Sequence, residues 1–375
     1  MALEDHIESR LISVSSSNTE EEFENKASQA CSKQQRWQIE TGPFEEQRLT
    51  NLSNSDWTLL VQAVDQYIPA VAELREYFAF IPAWQIDDVM VSYATRGGGV
   101  GPHFDRYDVF LVQGEGQRQW KIGQRCDQHT ALQADQRLHL LQDFEESECF
   151  TLSAGDILYL PPYLAHWGTS LDNDCMTYSV GFRSPSESEL IDDFTATLQS
   201  RLSEDDRFQD SIPYVADTAQ RSGEIDSSTI DNIKRLLMEK ISAQLNDKEQ
   251  LSRWFGVWAS EPKYALIDPL SSNEEGFSAD EIIDMICSDS ADSEFICRDD
   301  ASRFYYIEQD NKLLLFVNGR EINLDINSKS LAESAKAICN NRTFSADTLI
   351  PWLKDNNSSQ ILLELFNRQE LFLQE

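Results

Sequence analysis

Basic residues are scarce in this chain of 375 residues: 31 Lys and Arg stand against 65 Asp and Glu, a formal net charge of −34. A surface so short of cations repels phosphate backbones. That argues against nucleic-acid binding by broad attraction and leaves two uses for the charge, solubility or recruitment of a basic partner. Long apolar runs are also missing. None approaches the roughly 18 to 20 residues of a membrane span, so no membrane association is expected. The opening, Met1-Ala2-Leu3-Glu4-Asp5-His6, lacks a basic-then-apolar leader, and no secretory signal is expected there. The seven cysteines, at 31, 126, 149, 175, 287, 297 and 339, are odd in number, widely spaced and without a C-x-x-C pair. A disulfide framework is therefore disfavoured, and a cytoplasmic location is expected. Cys126 and His129 have a ligand-like spacing, but no second pair completes a zinc site. What is present is ordinary for a globular protein: 41% apolar and 26% charged residues, with 8 Trp, 11 Tyr and 19 Phe. The length points to two or three domains.

The first sixty residues are weakly patterned. Leu3–Leu11 reads as a short helix, Ser15–Gln35 as an exposed polar loop, and Arg36–Glu40 as a strand running into the Gly42-Pro43 turn. Trp57, Leu60, Val61 and Val64 have helical spacing, which predicts a helix over Ser55–Tyr67 with Ser55 or Asp56 as its cap. Between 84 and 182 the pattern changes to short β-rich runs, Asp88–Tyr93, Tyr107–Val112, Gln119–Ile122, Cys149–Leu152, Asp156–Leu160 and Met176–Phe182, punctuated by Gly and Pro. Many short strands with turn signals predict a sandwich or barrel. Glu187–Leu202 and Ser228–Leu245 then read as helices, followed by the aromatic cluster Trp254, Phe255 and Trp258. Their apolar faces must be covered by the β core or by a second copy of the chain, and a twofold dimer is the expectation. After Pro262 a small α+β unit is predicted, with helices over Asp280–Cys287, Leu331–Cys339 and Ala346–Leu353. Its strands are expected over Glu294–Cys297, Phe304–Glu308, Leu313–Val317 and Glu321–Leu324, with Asn318-Gly319 as a hairpin turn.

The stretch with chemical content is Gly97-Gly98-Gly99-Val100-Gly101-Pro102-His103-Phe104-Asp105. On a strand, residues i and i+2 share a face, so His103 and Asp105 can aim an imidazole and a carboxylate at one point. His166, near the start of a later strand, is the candidate third member. Two histidines and one carboxylate make the facial triad of non-haem Fe(II) oxygenases, which leaves three coordination positions for a chelating co-substrate and O₂. Zinc offers no accessible redox change for such chemistry. Chance H-x-D pairs are common. The preceding glycines, the surrounding β-rich region and Arg118, a cation able to pair with a dicarboxylate, give this one weight.

Ile86-Asp87-Asp88-Val89-Met90-Val91-Ser92-Tyr93, the run Gly97–Asp105, Tyr107–Gly114, Gly155–Pro162 and Tyr178–Arg183 together resemble the JmjC-type bacterial ribosomal oxygenases. The resemblance is strong across the β region, moderate in the helical segment and weak in the C-terminal unit. It implies a mainly β plus α fold with three parts. These are a double-stranded β-helix (cupin) oxygenase domain over 1–185, a helical dimerisation region over 186–260 and a winged-helix-like domain over 261–375. It implies His103, Asp105 and His166 as ligands of catalytic Fe(II), and Arg118 on the distal carboxylate of the co-substrate 2-oxoglutarate. Ser92, Thr177 and Ser179 would be further co-substrate-pocket residues. The implied reaction is hydroxylation of an arginine side chain of large-subunit ribosomal protein L-sixteen, with succinate and CO₂ as co-products. The family has a longer N-terminal segment with further strands, so a truncated chain or a later start is expected here.

A strongly basic ribosomal protein gives the acidic surface a use. Asp108 and Asp87 or Asp88 are candidates to meet the arginine, their other reading being solvated or strand-capping residues; Tyr107, Tyr163 and Trp167 are candidates to wall a channel, their other reading being core. After Pro262 acidic residues outnumber basic ones roughly two to one, so a protein-contact or structural role is favoured over DNA contact. Two other readings are a JmjC-type N-demethylase, which would release formaldehyde, and a non-catalytic cupin that binds a basic partner. Retention of His103, Asp105, His166 and Arg118 argues against the last.

Overall fold

The computed structural model describes residues 1–16, 35–134, 137–182, 184–203, 207–208, 223, 225–264, 277–287, 295–309, 312–323, 329–354 and 356–373. The chain divides into two compact units, Met1–Ser184 and Pro185–Glu375.

The first unit contains β1 (Ser9–Ser16), β2 (Gln35–Thr41), the short helix α1 (Glu46–Thr50), β3 (Trp57–Val61), α2 (Pro69–Ala72), β4 (Ile86–Ala94) and β5 (Asp108–Glu115). β6 (Gln117–Arg125), β7 (Glu148–Ser153), β8 (Ile157–Leu160), β9 (Leu164–Ser170) and β10 (Cys175–Phe182) complete it. Seven strands form one sheet in the order β2-β1-β3-β4-β10-β5-β8, and β7-β6-β9 form a second. Every ladder is antiparallel. The sheets close on each other through Val109, Leu111 and Leu160 of the larger and Trp120 and Ile122 of the smaller, the double-stranded β-helix expected. On its outer face the larger sheet presents Ile86, Val89, Val180 and Phe182, which are covered by Val64, Val71 and Phe78 from the short helical turns. Burying both faces of β4 and β10 removes the polar alternation of a half-exposed strand.

Two expected helices are strands. Ser9–Leu11 lies in β1 rather than a helix, and Trp57–Val61 is β3, followed by a single 3₁₀ turn at Val64–Gln66. The reason is pairing: β1 lies between β2 and β3, and β3 also pairs with β4. In β3, Thr58 and Leu60 are buried while Trp57, Leu59 and Val61 are half-buried on the other side. With apolar residues on both faces, a five-residue strand imitates helical spacing. Of the expected loop Ser15–Gln35, the ends belong to β1 and β2, and residues 17–34 lie outside the described residues.

In the second unit come α3 (Glu187–Ser200), α4 (Ser227–Asn246), α5 (Lys248–Ser260), α6 (Ala279–Cys287), β11 (Phe295–Arg298), β12 (Phe304–Gln309), β13 (Lys312–Val317) and β14 (Arg320–Ile322). They are followed by α7 (Lys329–Asn340), β15 (Thr343–Ser345), α8 (Ile350–Leu353), α9 (Asn356–Asn367) and β16 (Leu371–Leu373). Helix starts obey capping chemistry. Ser186 Oγ accepts the Glu189 N–H while the Glu189 carboxylate accepts the Ser186 N–H, and Asp226 and Asp247 cap α4 and α5. β12-β13-β14 form a meander, and its second turn places Asn318 and Gly319 at φ 49° and 74°, as a two-residue hairpin loop requires. β15-β11-β16 form a second small sheet. The α6, α7, α8 and α9 helices enclose a core that includes Ile282, Phe304, Ile338, Trp352 and Phe366. α5 crosses the meander closely enough that a Cβ on Gly256 would lie 2.2 Å from Phe316 Cε2.

Candidate active site

The glycine run is built to reach β9. The Gly97 N–H donates to the Ser170 carbonyl at 2.9 Å and the Ser170 N–H to the Gly98 carbonyl at 2.8 Å. A Cβ on Gly99 would fall 2.2 Å from the Gly168 carbonyl oxygen, so only glycine permits this approach. The chain is thereby zipped along β9 until His103 and His166 meet in a two-way backbone bridge, with N–H to O distances of 3.0 and 2.8 Å. His103 and Asp105 thus converge through one isolated bridge, not through a regular strand as the alternation argument supposed.

The ligand atoms of His103, Asp105 and His166 all lie within 4.8 Å of one another, and they form the one group of this kind among the described residues. The imidazole centroids are 4.3 Å apart, and His166 Nε2 is 3.6 Å from Asp105 Oδ2. Each imidazole is fixed by its own backbone: Nδ1–H of His103 donates to the Gly101 carbonyl and Nδ1–H of His166 to that of Leu164, both at 2.9 Å. That assignment leaves both Nε2 lone pairs facing the Asp105 carboxylate. Burial, reinforced by the neighbouring His103, pushes the His166 imidazole down to about 4, so it is a neutral electron-pair donor at pH 7. Two imidazoles and one carboxylate suit a divalent redox metal, and the absence of thiolates argues against a structural zinc site.

Along β6, Arg118, Trp120 and Ile122 alternate onto the inner face, opposite Ser170, Gly168 and His166 of β9. Arg118 is 3% exposed, and its Nε and Nη2 have no hydrogen-bond partner among the described residues. Those two N–H groups are the side-on fork that binds a carboxylate in parallel. A buried cation with that fork open fits a dicarboxylate reaching from the metal. The indole of Trp120 lies between, 5.8 Å from the guanidinium carbon and 5.9 Å, centroid to centroid, from His166. The sequence reading passed over Trp120, although the alternation Arg118-x-Trp120 on one strand was its signal.

Ser92, Thr177 and Gln113 face one another across β4, β10 and β5, on the same inner side as Leu111. Their hydroxyl donors are used internally: Ser92 Oγ–H on the Thr177 carbonyl at 3.3 Å and Thr177 Oγ1–H on Gln113 Oε1 at 3.0 Å. Ser179, half-buried, follows on the same face. Asp108 points the other way, beside Phe110, and accepts the Tyr159 hydroxyl at 2.6 Å. It lines a cavity of about 340 Å³ with Phe80, Phe110 and Phe182 on the outer face. Asp88, buried, accepts the Ala63 N–H at 3.1 Å. Tyr107 Cε2 and Asp88 Oδ1 come within 3.8 and 4.0 Å of where a Gly181 Cβ would stand. Trp167 alternates to the side of β9 away from His166 and packs edge-on against Trp37 and Phe144. Tyr163 stacks on Phe104 next to Asp105.

Cys126 and His129 belong to no group of three or more possible metal ligands among the described residues, and Cys126, Cys149, Cys175, Cys297 and Cys339 are free thiols. No helix among the described residues is long and apolar enough to cross a membrane.

Comparison with known proteins places this geometry. Residues 73–190 match the JmjC domain and residues 243–372 the ROXA-like winged helix. A probable ribosomal oxygenase of Haemophilus influenzae is 33% identical over 285 residues, 76% of this chain and 68% of the relative. The ribosomal protein uL16 3-hydroxylase of Escherichia coli is 36% identical over 258 residues, 67% of this chain and 64% of the relative. The structure of the E. coli ribosomal oxygenase YcfD in complex with cobalt and 2-oxoglutarate is 29% identical. It aligns with a TM-score of 0.76 over 100% of this chain and 88% of that one. On this evidence the chain belongs to the JmjC ribosomal oxygenase family, with a double-stranded β-helix domain and a winged-helix domain.

Proposed function

We propose that this chain is an Fe(II)- and 2-oxoglutarate-dependent oxygenase that hydroxylates an arginine side chain of large-subunit ribosomal protein L-sixteen. The observation that carries it is the convergence of His103, Asp105 and His166 within 4.8 Å, with the open guanidinium fork of Arg118 on the same inner face. His103, Asp105 and His166 would hold the metal, and Arg118 the distal carboxylate of the co-substrate, with Ser92, Thr177 and Ser179 in the pocket wall. Bound there, Fe(II) supplies O₂ activation coupled to decarboxylation of 2-oxoglutarate to succinate and CO₂, which delivers one oxygen atom to an unactivated C–H bond. The two backbone-held imidazoles keep their Nε2 atoms aimed without rotation. Leu111, Trp120 and Ile122 exclude water from the inner face, which strengthens the pairing of Arg118 with a carboxylate.

The net charge of −34 supports a basic protein substrate reached by electrostatic steering in the cytoplasm, with no direct nucleic-acid contact. We assign 1–185 to the oxygenase domain, 186–260 to a helical dimerisation region and 261–375 to the winged-helix-like domain. Exposed Ile230, Ile233, Leu237 and Met238 on α4 support a homodimer through that helix. The test is mass spectrometry of L-sixteen peptides after incubation with the protein, Fe(II) and 2-oxoglutarate. A stable gain of one oxygen on arginine is expected. Formaldehyde with loss of a methyl group would instead indicate N-demethylation, and no 2-oxoglutarate turnover with any ribosomal peptide would refute an oxygenase.

A further inference from the structure

Three buried donors on β6 have no partner among the described residues: Arg118 Nε, Arg118 Nη2 and Trp120 Nε1. An orphaned buried N–H carries an uncompensated desolvation cost, and native proteins rarely tolerate one without a reason. Here they come from residues two apart on one strand, on one face. The carbocyclic edge of the indole is pressed toward β9: a Cβ on Gly168 would lie 2.6 Å from Trp120 Cζ3 and 2.7 Å from Cη2. The pyrrole edge bearing Nε1 is therefore turned away from β9. With the guanidinium 5.8 Å from the indole on one side and the His166 ring 5.9 Å away on the other, any molecule reaching from the metal ligands to Arg118 runs along this indole.

We propose that the Trp120 indole N–H is a third donor to 2-oxoglutarate, hydrogen-bonding the distal carboxylate that Arg118 grips through its fork. This inference rests on the co-substrate reading above. A carboxylate offers about four lone-pair sites, and the Arg118 fork takes two, so an acceptor remains for the indole. Trp120 is then a positioning residue that both fills the core and fixes the co-substrate's far end.

The test uses the full chain loaded with redox-silent Zn(II), with 2-oxoglutarate binding followed by calorimetry in wild type, Trp120→Phe and Arg118→Met. Trp120→Phe keeps an aromatic ring and deletes the N–H. It should weaken 2-oxoglutarate by about 10- to 100-fold, with Zn(II) affinity unchanged. In ¹⁵N-tryptophan-labelled wild type, the indole signal missing from Trp120→Phe should move downfield on addition of 2-oxoglutarate. Weakened binding without the shift would assign the effect to ring packing and overturn the proposal. A shift without weakened binding, or neither, overturns it as well. If Trp120→Phe does not fold, the wild-type signal, assigned through Trp120→Tyr, decides alone. Arg118→Met separates the two levels: if it loses 2-oxoglutarate while Trp120→Phe does not, this inference fails and the co-substrate reading stands, whereas unchanged binding in Arg118→Met sinks that reading itself.

Discussion

Replacing Arg118 by Met should move two properties in opposite directions. The guanidinium is 3% exposed, with its Nε–H and Nη2–H unpartnered among the described residues. A carboxylate seated on that fork gains two charge-assisted hydrogen bonds at about 1.5–3 kcal/mol each. Because they share one desolvated anion they do not add fully, and a combined loss of about 3–5 kcal/mol is expected. That corresponds to roughly a 200-fold to several-thousand-fold loss of 2-oxoglutarate affinity. In the ligand-free protein the same change removes a buried charge and keeps an apolar stem of similar length over Trp120. Stability there should hold or rise by about 1–3 kcal/mol. Calorimetric titration of the metal-loaded chain gives the first quantity, and denaturant unfolding of the ligand-free chain gives the second. If Arg118→Met unfolds more easily without co-substrate yet binds it within a few-fold of wild type, the arginine is structural and the reasoning is wrong.

His103→Ala should abolish succinate formation and stoichiometric metal uptake, and chelation of the wild type should give the same loss, restored by Fe(II) but not by Zn(II). Gly256→Ala would place a Cβ 2.2–2.5 Å from the fully buried Phe316 ring. Overpacking of about 1–3 kcal/mol should outweigh a helix-propensity gain of about 1 kcal/mol, lowering the unfolding midpoint by a few degrees. Burial pushes the Cys339 thiol up to about 12, leaving about one part in 10⁴ as thiolate at pH 8. Peptide mapping after brief alkylation of the native protein should therefore find exposed Cys149 labelled and Cys339 untouched until the chain unfolds. Leu237→Glu, on an exposed apolar position of α4, should convert a dimer to a monomer in light scattering.

The convergence of His103, Asp105 and His166 was legible because a glycine run followed by His-x-Asp is an unusual local pattern in a β-rich segment. The path of that convergence was not. Gly97 and Gly98 bring the chain onto β9 through backbone pairing that no side chain announces. β9 was expected only as a strand starting near His166, without bounds: Ala165-His166-Trp167-Gly168 has weak β-propensity and forms through its ladder with β6. β3 was taken for a helix because a short strand buried on both faces loses its two-residue period. Helices α3 and α4, long and explicitly capped by Ser186 and Asp226, were readable to within a few residues. Pairing across the barrel, which turns Asp108 outward and Arg118 inward, has no counterpart in local sequence.

The carbonyls of Gly101 and Leu164 hold the two imidazoles from two residues upstream in the same stretch of chain. Tautomer selection is thereby delegated to the main chain, where many enzymes of comparable chemistry entrust it to a separate acidic side chain. Drift among the neighbouring residues can reshape the cavity, and so the choice of target, without corrupting the proton inventory of the ligands. Retuning this centre for a different ion therefore starts from His103, Asp105 or His166 themselves, since among the described residues main-chain carbonyls, not side chains, accept from both Nδ1 atoms.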